Sequence, residues 1–90
     1  MFRLEAKKVK AGHVLQDITV QDDAEDTRTH KVFHALTEVC RGMDLAEPIW
    51  LRKNIRDFQQ HARCRFTKDS FVEETDFDYL EIRIVEEDWD

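Results

Sequence analysis

Glycine, proline and serine are nearly missing from this chain: its ninety residues include two glycines, one proline and one serine. Gly12 and Gly42 stand thirty residues apart, so they cannot build a phosphate-cradling loop or a dinucleotide fingerprint. No glycine follows Gly42, which rules out the central glycine of an EF-hand, and Ser70 lacks a G-x-S-x-G context. So little Gly and Pro points to regular elements joined by short connections. No apolar run exceeds a few residues, and MFRLEAKKVK has neither an apolar core nor a small-residue cleavage site. The expectation is a cytosolic chain with no membrane span and no secretory signal.

Positive charge is also in deficit. Fourteen Lys and Arg face twenty Asp and Glu, for a net charge of −6, which disfavours nonspecific attraction to nucleic acid or an anionic membrane. Any such binding needs a local patch. Cys40 and Cys64 are isolated rather than paired as C-x-x-C, the pattern of reduced, semi-buried small hydrophobes. Cys64 lies between Arg63 and Arg65, whose charges would lower a thiol pKa, but in an extended segment it would point away from both. No residue has a warrant as catalytic, and the pattern calls for no cofactor.

What is present is a change of sign and of period between Trp50 and Asp90. Residues 50–68 carry Arg52, Lys53, Arg56, Arg63, Arg65 and Lys68 against Asp57 alone, whereas residues 69–90 carry ten acids against Arg83. Upstream, Phe2, Leu4 and Ala6 alternate with Arg3, Glu5 and Lys7, and Val14, Ile18 and Val20 alternate again, Gln16 being the exception; Gly12 suits the turn of this hairpin. The acids of QDDAED precede a helix with Asp26 or Thr27 as N-cap. Its apolar stripe is Val32, Phe33, Leu36, Val39, Cys40 and Met43, and Gly42 is placed as its left-handed cap. Leu51, Ile55, Phe58 and Ala62 mark a second helix over Trp50 to His61. ARCRFTKDSFVEE reads as a loop with at most a short extended arm near Arg63 to Phe66. From Phe77 to Glu86 strict alternation puts Leu80, Ile82 and Ile84 on one strand face and Tyr79, Glu81, Arg83 and Val85 on the other.

At EPIWLRKNIRDF, RFTKDSFVEE and FDYLEI the chain resembles a family of short uncharacterised proteins from anaerobic Gram-positive bacteria, over most of its length. The resemblance implies a bacterial cytosolic origin and brings no activity or site residue with it.

The basic cluster has two readings. Arg52 and Arg56, at i and i+4, repel one another and call for an anionic neighbour. With Trp50 or Phe66 to stack on a base, Arg52, Lys53, Arg56, Arg63 and Arg65 would form a phosphate or RNA surface. Alternatively the anions are internal, Glu73, Glu74, Asp76 and Asp78 being close in sequence. His30, His34 and Glu38 share a helix face, but Lys31 stands where a zincin needs Glu, and that face is where exposed polar residues belong, so no metal is expected. Asp76 and Asp78 make only a weak carboxylate pair. Trp89, among the acids of EEDWD, is a candidate partner anchor.

The architecture expected is one α+β domain over 1–90: elements in the order ββααβ, an antiparallel sheet of the hairpin plus the final strand in order 2-1-3, and two helices on one face. The function expected is a non-enzymatic module that binds another protein or a second copy of itself, through Trp50, Trp89 and the basic residues. The alternative is an RNA- or nucleotide-phosphate-binding domain; nucleic acid is the less favoured partner, and no membrane is expected.

Overall fold

The computed structural model describes residues 1–87; Asp88, Trp89 and Asp90 lie outside the described residues. The fold is α+β, with strands β1 (Phe2–Lys10), β2 (His13–Asp22), β3 (Arg63–Thr67) and β4 (Tyr79–Glu86), and helices α1 (Arg28–Gly42) and α2 (Arg52–His61). All strand pairs are antiparallel, in the order β2-β1-β4-β3. The last strand does lie beside the first, as in the expected order 2-1-3, but the sheet has four strands rather than three. Arg63–Thr67, read as a loop with an arm, is the fourth: Cys64 and Phe66 turn inward and Arg63 and Arg65 outward.

Both helices cover one sheet face. The core joins Phe2, Leu4 and Ala6 of β1, Leu80 and Ile82 of β4 and Cys64 and Phe66 of β3 to Val32, Ala35, Leu36, Val39 and Cys40 of α1 and Phe58 of α2. The other face is a charge ladder in which Arg83 reaches Glu5 at 2.9 Å and Arg65 reaches Glu81 at 3.1 Å. Val9 and Tyr79 pair across that face, and the Arg65 guanidinium lies 4.5 Å from the Tyr79 ring centroid. A bulge follows the hairpin: Lys8 pairs with Gln16 and Val9 with Val14, leaving Leu15 as the extra residue, so Gln16 stays on the face of Ile18 and Val20 whereas Val14, expected on that face, lies on the other one beside Val9.

Turns in this glycine-poor chain fall on other residues. The hairpin turn has φ of +50° at Ala11 and +77° at Gly12, and the Ala11 amide donates to Asp78 Oδ2 at 2.8 Å. Thr27 caps α1, its hydroxyl accepting from the His30 amide, and Asp26 Oδ1 accepts from the Thr27 amide. At the other end Gly42 is not the left-handed residue. Gly42 stays helical where a Cβ would come 2.8 Å from Ile18 Cδ1, and Asp44 takes φ +52°. The Leu45 amide then donates to Cys40 O and the Asp44 amide to Arg41 O, the paired bonds of a Schellman closure. α2 ends on Ala62, φ +55°, and β3 begins at the next residue.

Candidate functional site

Pro48 is buried, and the Ile49 amide donates to Ser70 O at 2.7 Å; together these hold residues before α2 extended and deliver Trp50 between the helices. Trp50 meets Phe58, Phe66 and Phe33 edge to face, with centroids at 5.6, 4.9 and 6.1 Å. Phe33 follows Arg28 along α1 and touches Trp50 just before α2, whereas the Arg28 guanidinium lies 5.8 Å from the ring of Phe58, further along α2. The helices therefore run antiparallel. Between them lies an open groove of about 290 Å³, walled by Arg28, Val32, Phe33, Ile55, Phe58 and Gln59, with Trp50 among its lining residues.

Two features make this groove unusual on the molecule. Phe33 and Ile55 remain 47% and 45% exposed although both belong to apolar helix stripes. The lining has no acid at all, in a chain of net charge −6. Ile55 was expected to face the core; instead Asn54 and Phe58 are the buried residues of α2, and this rotation puts Ile55 on the groove wall. On an ideal helix Arg52 and Arg56 then flank Ile55 and Gln59, at the groove side and back, while Lys53 falls on the opposite flank.

The sequence-derived cluster is accordingly divided. Arg52, Lys53, Arg56 and Arg63 are exposed, and none is ion-paired among the described residues. Lys53, Arg63 and Arg65 line a separate polar groove along β3 with Asp57, His61, Thr67 and Glu81. Arg63 stands directly opposite Arg83 in the sheet, an unfavourable like-charge register, while Arg83 leans to Glu5. The internal anions proposed for the cluster do not serve it. Glu73, Glu74 and Asp76 lie beside Lys8 and residues 43–46, and Asp78 accepts from Ala11. Phe66 is fully buried and presents no face to a base. Trp89 lies outside the described residues.

The other candidates are quickly placed. His30 Nδ1 donates to Asp26 Oδ1 at 2.9 Å, its ring is 6.5 Å from that of His34, and Glu38 pairs with Arg41 at 2.9 Å. No group of three metal-binding side chains gathers among the described residues, and no helix there is long and apolar enough to cross a membrane.

Both thiols are free and buried. Burial pushes Cys40 from 9.0 up to about 11 and Cys64 up to about 12, Asp57 and Glu81 adding to the effect on Cys64. The flanking arginines do not activate Cys64, because β3 is extended and carries them to the other face. Since both folded values lie above 9.0, the stability carried by the neutral thiols is complete below about pH 9 and is lost as pH rises through 9 to 12. A chromogenic disulfide reagent at pH 8 is expected to label neither cysteine promptly in the native protein and both at once in denaturant; prompt native labelling would contradict their burial.

A residue that sequence reasoning passed over is Asn54, only 1% exposed. Its Oδ1 accepts from the Leu51 amide at 3.0 Å and from Ser70 Oγ at 3.4 Å, and its Nδ2 donates to Arg65 O at 2.9 Å. It thus starts α2, whose N-cap Leu51 has no side-chain acceptor, and occupies an outward carbonyl of the edge strand β3. The sequence signal was present in Asn at the third helical position, where it can reach back to the cap amide.

The chain matches no family model, no curated protein and no solved structure.

Proposed function

We propose that this chain is a non-enzymatic protein-interaction domain whose groove between α1 and α2 takes an apolar side chain carried on an acidic segment of a partner. One observation carries the reading: Phe33 and Ile55, each about half exposed, line with Trp50 a groove without acids, and helix geometry sets the exposed Arg52 and Arg56 on the adjoining side of α2, whereas Arg28 in the lining is already paired with Glu87. An exposed apolar depression with a polar rim is the form of a partner site, and the rim charge selects an acidic partner by complementarity. The aromatic floor supplies the anchor pocket that such interfaces rely on. A nucleic-acid role is less well supported, because Trp50 is enclosed by three rings, Phe66 is buried and the cations divide between two flanks of α2. We place this activity in a reducing cytosol, in keeping with two free buried cysteines and with the sequence resemblance.

Selection of peptides from a random library on the intact chain tests this. The expected winners carry one Trp, Phe or Leu among Asp and Glu, and lose binding to Ile55→Glu, a substitution at an exposed position that should leave the fold intact. Basic or chargeless winners, or winners indifferent to Ile55→Glu, would defeat the proposal.

A further inference from the structure

We infer that the polar groove between α2 and the edge strand β3 is a second binding site, one that takes a single phosphate monoester on Lys53, Arg63 and the Arg65 backbone amide. It lies on the opposite flank of α2 from the apolar groove and does not depend on it. Lys53, Asp57 and His61 stand at i, i+4 and i+8, so α2 presents them in one line beside β3, which contributes Arg63 and Arg65. The space is about 400 Å³, within the range of small-ligand sites.

The edge of β3 is closed to an added strand but open to an acceptor. The Ile84 amide donates to Ala62 O at 2.9 Å, so alternation directs the backbone groups of Ala62, Cys64 and Phe66 to β4 and those of Arg63, Arg65 and Thr67 to the free edge. Asn54 agrees with that parity by donating to Arg65 O, and it thereby occupies the carbonyl that another strand would need. The Arg65 amide, on the same side, has no acceptor among the described residues. The Thr67 hydroxyl, in the same lining, is also buried without a hydrogen-bond partner.

The charges call for an anion. Arg65 is committed to Glu81 at 3.1 Å, whereas Lys53 and Arg63 have no ion pair among the described residues even with Asp57 in the same lining. Two free cations therefore face one carboxylate, in a chain of net charge −6. Arg63 also opposes Arg83 in a pair without ladder hydrogen bonds, the closer of the two antiparallel spacings, so the like charges are as near as the sheet allows. A register that costs stability is the kind of local conflict found at functional positions. A phosphate dianion relieves it, accepting two parallel N–H bonds from the Arg63 guanidinium and one each from Lys53 and the Arg65 amide. A single carboxylate brings half the charge against the repulsion of Asp57. Arg52 and Arg56 stand on the other flank of α2, so the site suits one phosphate rather than a nucleic-acid backbone.

The test titrates the intact chain, in phosphate-free buffer, with glycerol phosphate and with a capped phosphoserine tripeptide, reading amide and arginine Nε shifts by NMR. Both esters are expected to shift the Arg65 amide and Arg63 Nε saturably, with a Kd of about 1 mM or tighter. The tighter of the two identifies the source as a free metabolite or a phosphorylated partner. Arg63→Gln is expected to weaken binding about tenfold, and Lys10→Gln, which removes one cation at the hairpin, to leave it unchanged. Because Arg63 is exposed and opposes Arg83, Arg63→Gln should not lower the melting temperature, so lost binding is not lost folding. Added ester should raise the melting temperature of the parent and not that of Arg63→Gln. Shifts that are absent, unsaturable, or reproduced by the unphosphorylated tripeptide would overturn the site. Equal weakening by Arg63→Gln and Lys10→Gln would reduce it to an adventitious effect of net charge, and tighter binding of a single-stranded oligonucleotide would replace it by a nucleic-acid surface.

Discussion

Asn54→Ala is expected to cost about 3 kcal/mol, because it strips three hydrogen-bonding partners at once from buried or part-buried sites. The Leu51 amide loses its acceptor at a helix start without a capping side chain, and Arg65 O is left facing a void. For a domain of this length that corresponds to a fall in melting temperature of roughly 15 °C, read by circular dichroism. Asn54→Asp separates the parts of the effect. The carboxylate keeps the shape and the acceptor but cannot donate to Arg65 O, so its pKa should be raised in the folded state. Its penalty should therefore be small below the ordinary carboxylate range, where the acid can still donate, and should grow as pH rises to neutrality. A variant as stable as the parent at neutral pH would show that Asn54 is not the junction described.

Trp50→Ala is the second large effect, at about 3 kcal/mol, near the low end for Trp truncation because the ring is only half-buried. Three edge-to-face contacts disappear together, and Phe58 and Phe66 lose the ring that covers them. Trp50→Phe keeps an aromatic edge and should cost about 1 kcal/mol. Urea unfolding followed by circular dichroism gives both values. If the two substitutions cost the same, ring contact is not what Trp50 contributes. Groove binding should follow the same order, with Trp50→Phe weakened and Trp50→Ala abolished.

How much was legible in the sequence differed by element, for physical reasons. α1 was readable because an unbroken stripe from Val32 to Met43 runs over about three turns, and β4 because its alternation is strict on both faces. β3 was not, since five residues carry only two inward side chains, and no glycine or proline announces the turn that Ala62 makes in a left-handed conformation. The same shortage misplaced the cap of α1, where packing of Gly42 on Ile18 overrode glycine's usual use and passed the positive φ to Asp44. In α2 the apolar period pointed Ile55 inward, but the buried face includes Asn54, chosen by hydrogen bonding rather than hydrophobicity. That rotation is what creates the groove wall, so the site could not be read from periodicity alone. The basic residues were correctly placed in solvent, whereas their separation onto two flanks and the position of the acidic loop depend on long-range geometry.

The junction at Ala62 also bears on how the walls of the groove are held. α2 is fastened to β3 at both ends, through the Asn54 amide on Arg65 O and through a connection one residue long, so it must move with the sheet edge. α1 hangs between two longer connections, residues 23–27 and 43–51. Those longer connections do not free α1, because Val32, Ala35, Leu36, Val39 and Cys40 bolt it to the sheet, so both walls are rigid and only the half-exposed side chains of Phe33 and Ile55 are left to turn, like shutters on a fixed frame.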